Sequence, residues 1–168
     1  MDLISVRELF KNASAYAGKE VTVGGWVRSV RASKQFGFIV LNDGTFFTPV
    51  QVVYHDTMDN FNEISKVNVG AALIVKGELL LTPDAKQPFE IQATEVTVEG
   101  PSASDYPMQK KRHTVEFLRT MPHLRPRTNM FQAVFRVRSI AAQAIQSGRV
   151  EVNHVPLRTA HEDVFEGD

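Results

Sequence analysis

From Glu20 to Val98 the apolar residues of this chain recur mostly at every second position, in five runs separated by turn-forming residues. Period two is the spacing of a β-strand, whose successive side chains point to opposite faces, so each run can bury one face and leave the other to water. The first run carries Val21, Val23, Trp26, Val27 and Val30, and its paired Gly24 and Gly25 permit a bulge or sharp bend that helps a sheet coil. Trp26 is read as a core residue at that bend. The second run, 36–41, leads to the third, 47–54, through Asn42-Asp43-Gly44-Thr45, a composition suited to a tight hairpin. Residues 71–81 and 89–98 form the fourth and fifth runs, around a polar turn holding Pro83 and Pro88.

Between the third and fourth runs, Met58, Phe61, Ile64 and Val67 stand three residues apart and predict one short amphipathic helix over 56–67, ended by Gly70. Five strands with a helix between the third and fourth is the order of an OB-fold, an all-β, five-stranded Greek-key barrel whose face and loops often hold single-stranded nucleic acid. Small barrels with other functions fit the same order, because a fold does not dictate a function. A short helix from Ser5 to Phe10 precedes the barrel, which is expected over 1–102. A basic linker follows over 103–128, where Pro107, Pro122 and Pro126 forbid a long helix. Residues 129–146 are proline-free and predict one helix, whose broad apolar face, with Val134, Val137 and Ile140, needs a partner. Gly148 ends it, 149–153 alternate as a short strand, and the tail over 147–168 is acidic, too short to be more than a loose hairpin or a segment without fixed structure.

The 19 Lys and Arg side chains cancel 19 Asp and Glu overall, but they are segregated. Residues 105–150 hold 9 basic against 2 acidic residues, and residues 151–168 hold 1 against 5. A basic block fits either a polyanionic partner or a solvated helix face. With no cysteine the chain has no disulfide framework, thiol nucleophile or cysteine-ligated zinc. His55, His113, His123, His154 and His161 lack ligand spacing, so no metal site is expected. No apolar run approaches the ~20 residues of a membrane helix. Residues 1–20 lack a secretory signal pattern, so a cytoplasmic protein with no membrane partner is expected.

Three tracts, VTVGGWVRSVRASKQFGFIVLNDGTFFTPVQVVY, KGELLLTPDAKQPFEIQATEVTVEG and HTVEFLRTMPHLRPRTNMFQAVFRVRSIAAQAI, resemble the asparaginyl-tRNA synthetases, within the aspartyl, asparaginyl and lysyl subgroup of class II. The likeness covers residues 1–145: the first two tracts resemble the anticodon-binding barrel, the third the hinge and the first helix of the catalytic domain. It implies the anticodon loop of a tRNA as partner, and a parent reaction that ligates asparagine to tRNA with ATP and magnesium. For this chain neither a cofactor nor a catalytic residue is expected. Phe135-Arg136-Val137-Arg138 lacks the glutamate of the family's second motif, and no glycine-rich third motif follows. The likeness is expected to stop near Ile145, after which SGRVEVNHVPL and Glu166-Gly167-Asp168 are similar to the RNA-binding module named after the fourth small-subunit ribosomal protein.

In the family pattern Arg31, Phe38 and Gln51 fall on positions that read or stack anticodon bases. Phe38 suits a stacking platform, and Gln51 offers the donor and acceptor that a uracil edge, the central anticodon base of the subgroup, requires. On residues alone, Phe38 reads equally as core and Gln51 as an outward strand residue. Glu90 and Gln92, two apart on the fifth strand, share a face, and one of them is expected to read the remaining base. Arg28, Lys34 and the cluster Lys110, Lys111 and Arg112 extend the basic edge toward phosphates, or are solvated cations. The other reading is a structural or regulatory fragment that docks on a full-length synthetase, or on itself, through 129–146, or a truncated or chimeric product without function. Assayed alone, the 168-residue chain is expected to charge no tRNA with asparagine; charging by protein free of host synthetase would overturn that reading.

Overall fold

The computed structural model describes residues 2–148 and the backbone of 151–152 and 155–156. The described residues divide into two compact units, one ending at His113 and the other beginning at Thr114.

The first unit is a closed five-stranded barrel, β1 (Glu20–Ala32), β2 (Phe36–Asn42), β3 (Val50–His55), β4 (Ala72–Leu81) and β5 (Phe89–Gly100), joined in the order β1-β2-β3-β5-β4. The OB-fold expected from the strand order is therefore the fold found. Neighbouring strands run antiparallel except β3 and β5, which are parallel with Val52 opposite Ile91. β1 closes the barrel by serving two partners: Glu20 to Trp26 pair with β4, and Trp26 to Ala32 with β2. The change of partner occurs at the predicted glycine pair. A Cβ on Gly25 would lie 2.7 Å from the Asn42 carbonyl oxygen, an approach that only glycine permits.

Inside, Val21, Val23, Ile39, Leu41, Val52, Val75 and Ile91 are buried in one core. Each such aliphatic side chain contributes roughly 1.5–3 kcal/mol when withdrawn from water. Trp26 is not part of that core: it is 38% exposed. Its position follows from the alternation itself, because Val21, Val23 and Val27 point inward and residue 26 falls on the opposite parity.

Three more expectations are corrected. The helix begun at Ser5 runs farther than Phe10, as α1 (Val6–Tyr16), with Val6 and Leu9 buried and Phe10 stacked on Phe46 at 4.8 Å. It passes a non-helical Asn12, whose side-chain amide donates to Glu8 at 2.7 Å, and Ala13 and Tyr16 pack against the core beyond it. The β2–β3 connection is a seven-residue loop rather than a tight hairpin, since β3 begins only at Val50. Asp43 organises it: its carboxylate accepts from the Thr45 backbone and hydroxyl, each at 2.8 Å, and from the Val6 N–H, also at 2.8 Å. One carboxylate thus turns the loop and caps α1, where the helix dipole favours negative charge. The helix predicted over 56–67 is only α2 (Phe61–Ile64). Around it Met58 bonds back to His55, Phe61 to Met58 and Val67 to Ile64, so the three-residue spacing was that of successive tight turns and not of a 3.6-residue helix.

In the second unit α3 (Val115–Arg119) lies between Pro107 and Pro122 and is capped by the Thr114 hydroxyl, which accepts from the Phe117 N–H at 3.2 Å. A 3-10 turn at Arg125–Arg127 leads to α4 (Asn129–Gln146), with the bounds expected from its composition. The Arg125 guanidinium lies 4.9 Å from the Phe131 ring centroid and 5.7 Å from that of Phe135, a cation–π arrangement at the start of α4. Beyond it β6 (Glu151–Val152) and β7 (Val155–Pro156) pair antiparallel. The remainder of the strand expected over 149–153, and the acidic tail from 157, lie outside the described residues.

Gly37 in β2 faces Tyr54 in β3, and a Cβ there would collide with the fully buried Tyr54 ring. That ring cannot retreat easily, because it packs on Phe61 at 5.4 Å and its hydroxyl bonds Ser65 at 3.2 Å. Gly37→Ala is expected to cost about 1–3 kcal/mol, the usual penalty for forcing atoms into a filled core, read as a lower denaturation midpoint in urea.

Candidate nucleic-acid interface

The register of the barrel decides which polar residues meet on its outside. Directly paired residues share a face. Arg31 pairs with Phe38, Phe38 with Val53, and Val53 with Gln92, so one row crosses β1, β2, β3 and β5. Val40 and Gln51 form the next row, and Phe36 and His55 the row on the other side. The intervening Ile39, Val52 and Ile91 are fully buried, which identifies these rows as the outer face. Arg31, Phe38, Gln51, Glu90 and Gln92, predicted separately from the sequence, therefore lie on one surface.

The polar members are hydrogen-bonded into a ladder. The Gln51 amide donates to Glu90 Oε2 at 3.4 Å, a long bond, and the Gln92 amide donates to Glu90 Oε1 at 2.7 Å. His55 Nε2 lies 3.2 Å from Gln92 Oε1. Beside the ladder sits an aromatic group: Phe36 meets Phe38 edge to face at 5.5 Å and tilts against His55 at 6.4 Å. Phe36 is exposed and Phe38 half-buried, so both keep ring surface available to a planar ligand.

The cations are distributed unevenly. Arg31 is exposed at the end of the row, and Lys34 is exposed in the β1–β2 turn, which is closed by the Ser33 N–H donating to the Phe36 carbonyl at 2.8 Å. Arg28 is the extra residue of a β-bulge between Val27 and Ser29. Burial lowers its pKa by penalising the charged form, yet a guanidinium starts so high that Arg28 keeps its charge at neutral pH. Lys110, Lys111 and Arg112 are exposed on the segment after β5, outside the five strands of the barrel. The structure thus gathers the candidates on the four strands onto one face, and the cluster belongs to no strand of it.

Two residues of this surface were missed from the sequence, Phe36 and His55. Their signal was parity: Phe36 is two residues from Phe38, and His55 is four from Gln51, so each shares the face of a residue already chosen. Among the described residues no group of His, Cys, Asp and Glu is placed to hold a metal ion, and no helix is long and apolar enough to cross a membrane.

Comparison with known proteins bears on the same region. Residues 21–99 match the tRNA anti-codon family of OB-fold nucleic acid binding domains. The asparagine–tRNA ligase of Alkaliphilus oremlandii is 55% identical over 163 residues, covering 95% of this chain and 35% of the relative. That of Bacillus cereus is 51% identical over 173 residues and covers 100% of this chain and 37% of its own length. The likeness to these ligases consequently runs through the tail, and the departure expected near Ile145 is not found. The fold is similar to that of asparaginyl-tRNA synthetase from Pyrococcus horikoshii complexed with asparaginyl-adenylate, with a TM-score of 0.74 at 22% identity over 88% of this chain and 35% of that one. The chain spans about a third of the length of the curated relatives it matches. By sequence the chain is similar to about a third of the asparagine–tRNA ligases, and its residues 21–99 match the model of an OB-fold nucleic acid binding domain.

Proposed function

We propose that the outer face of β1, β2, β3 and β5 binds the anticodon loop of a tRNA, as the recognition part of an enzyme that joins asparagine to tRNA with ATP. The supporting observation is the convergence of Arg31, Phe38, Gln51, Glu90 and Gln92 on one sheet face of a domain from an anticodon family. Unstacked bases are held by aromatic faces, by hydrogen bonds to base edges and by cations near phosphates, and this face offers all three. Phe38, with Phe36 beside it, stacks a base; Gln51 meets the edge of the central uracil; Arg31, Arg28 and Lys34 meet backbone phosphates. Lys110, Lys111 and Arg112, exposed after β5, add positive charge. The 168 residues themselves activate no amino acid, and their place of action is the cytoplasm, where tRNA is charged.

Binding then divides into a salt-sensitive and a base-specific part. Arg31→Ala is expected to weaken all tRNAs alike and to lower the salt slope by about one. Phe38→Ala is expected to cost about 1–3 kcal/mol without changing base preference, because stacking tolerates any base. Gln51→Ala is expected to lose discrimination for a central uracil by a similar 1–3 kcal/mol. Titrations of anticodon stem-loops at two salt concentrations check all three. An unchanged U-over-C preference in Gln51→Ala would remove that residue from the site.

A second reading concerns α4, on which Val137 is 67% and Ile140 66% exposed. Apolar side chains so placed fit association with a second copy or with a full-length synthetase. Val137→Glu with Ile140→Glu is expected to abolish any self-association seen by sedimentation while leaving stem-loop binding unchanged.

A further inference from the structure

A glutamine by itself cannot tell uracil from cytosine. Its amide presents a carbonyl acceptor and an N–H donor side by side, and a half-turn about the last side-chain bond exchanges them. Uracil offers an N–H at N3 beside an acceptor at O4, whereas cytosine offers an acceptor at N3 beside an amino donor. One orientation of the amide fits the first base, the reverse orientation fits the second. Discrimination requires something that holds the amide still.

We propose that Glu90 is that device, a positioning residue that acts through Gln51; the proposal rests on the anticodon reading above. A carboxylate oxygen only accepts, so an amide that hydrogen-bonds it must turn its N–H toward it. Glu90 takes the Gln51 amide on Oε2 at 3.4 Å and the Gln92 amide on Oε1 at 2.7 Å. The direction of both amides is therefore dictated by the chemistry of the acceptor. Gln92 is held at both ends, because its Oε1 faces His55 Nε2 at 3.2 Å, and it has one N–H left for a ligand. Gln51 keeps its carbonyl oxygen and one N–H free of the ladder, the pair that matches a uracil edge. Gln51 reads, Gln92 and His55 brace, and Glu90 orients. The long Gln51–Glu90 bond also leaves Gln51 room to settle against a base without leaving the orientation that Glu90 imposes.

The test compares anticodon stem-loops carrying U or C at the centre, titrated into the full chain as wild type, Gln51→Ala, Glu90→Gln and Glu90→Ala, with thermal melts to confirm that each variant folds. A residue needed only for structure would weaken both loops together. Loss of orientation predicts a different pattern: Glu90→Gln, which can itself donate, should bind the C loop more tightly and the U loop more weakly, lowering the U/C ratio by about tenfold. Glu90→Ala should lower the ratio likewise, and serves if Glu90→Gln melts early. A wild-type ratio in both Glu90 variants, together with a lost ratio in Gln51→Ala, would overturn the role of Glu90 alone. A wild-type ratio in Gln51→Ala with a lost ratio in the Glu90 variants would make Glu90 the reader and overturn the proposal as well. Equal binding of both loops by the wild type would overturn the anticodon reading and the proposal with it.

Discussion

The structure depends on one strand pairing along both its edges. β1 gives its first half to β4 and its second half to β2, and the exchange occurs beside Gly25, where a Cβ would lie only 2.7 Å from the Asn42 carbonyl oxygen. Closing the sheet removes the free edges that an open sheet would expose to other chains. It also separates the two faces completely. Valine, leucine and isoleucine side chains fill much of the interior, and outward positions such as Arg31, Phe36 and His55 are exposed and free to carry chemistry.

Closure has a second consequence at the far side of the barrel. With β4 occupying the place beside β1, β5 is brought parallel to β3, so that residues about forty positions apart in sequence become neighbours. That contact sets Gln51 and His55 against Glu90 and Gln92. The ladder is only partly buried, so its members lose little hydration and can exchange partners with an incoming base. A carboxylate at its centre gives it direction, because hydrogen bonds can only run toward Glu90. The neighbouring Phe36 and Phe38 contribute surface that the core does not use.

Much of this was legible beforehand. The five strands, their order and α4 followed from periodicity, since alternation and the absence of proline are local properties that a sequence displays directly. Local patterns were misread where a distant partner decided the outcome. The loop after Asn42 has the composition of a hairpin, yet Asp43 is engaged by the N-terminus of a helix 37 positions away, and the chain opens to meet it. Residues 56–67 have apolar groups at every third position, a spacing shared by a helix and by a succession of tight turns, and only Phe61–Ile64 is helical. Trp26 was assigned by its hydrophobicity when its parity already pointed outward.

The candidate site divides along the same line. The sequence by itself named Arg31, Phe38 and Gln51 through its resemblance to a family pattern, and set Glu90 and Gln92 on one face because a strand's facing is settled by steric alternation within a few residues. Only the tertiary structure decided that these five share one surface with Phe36 and His55, and that the amides of two glutamines meet a single carboxylate. Register between strands far apart in the chain depends on how the barrel closes, and no local pattern carries that information.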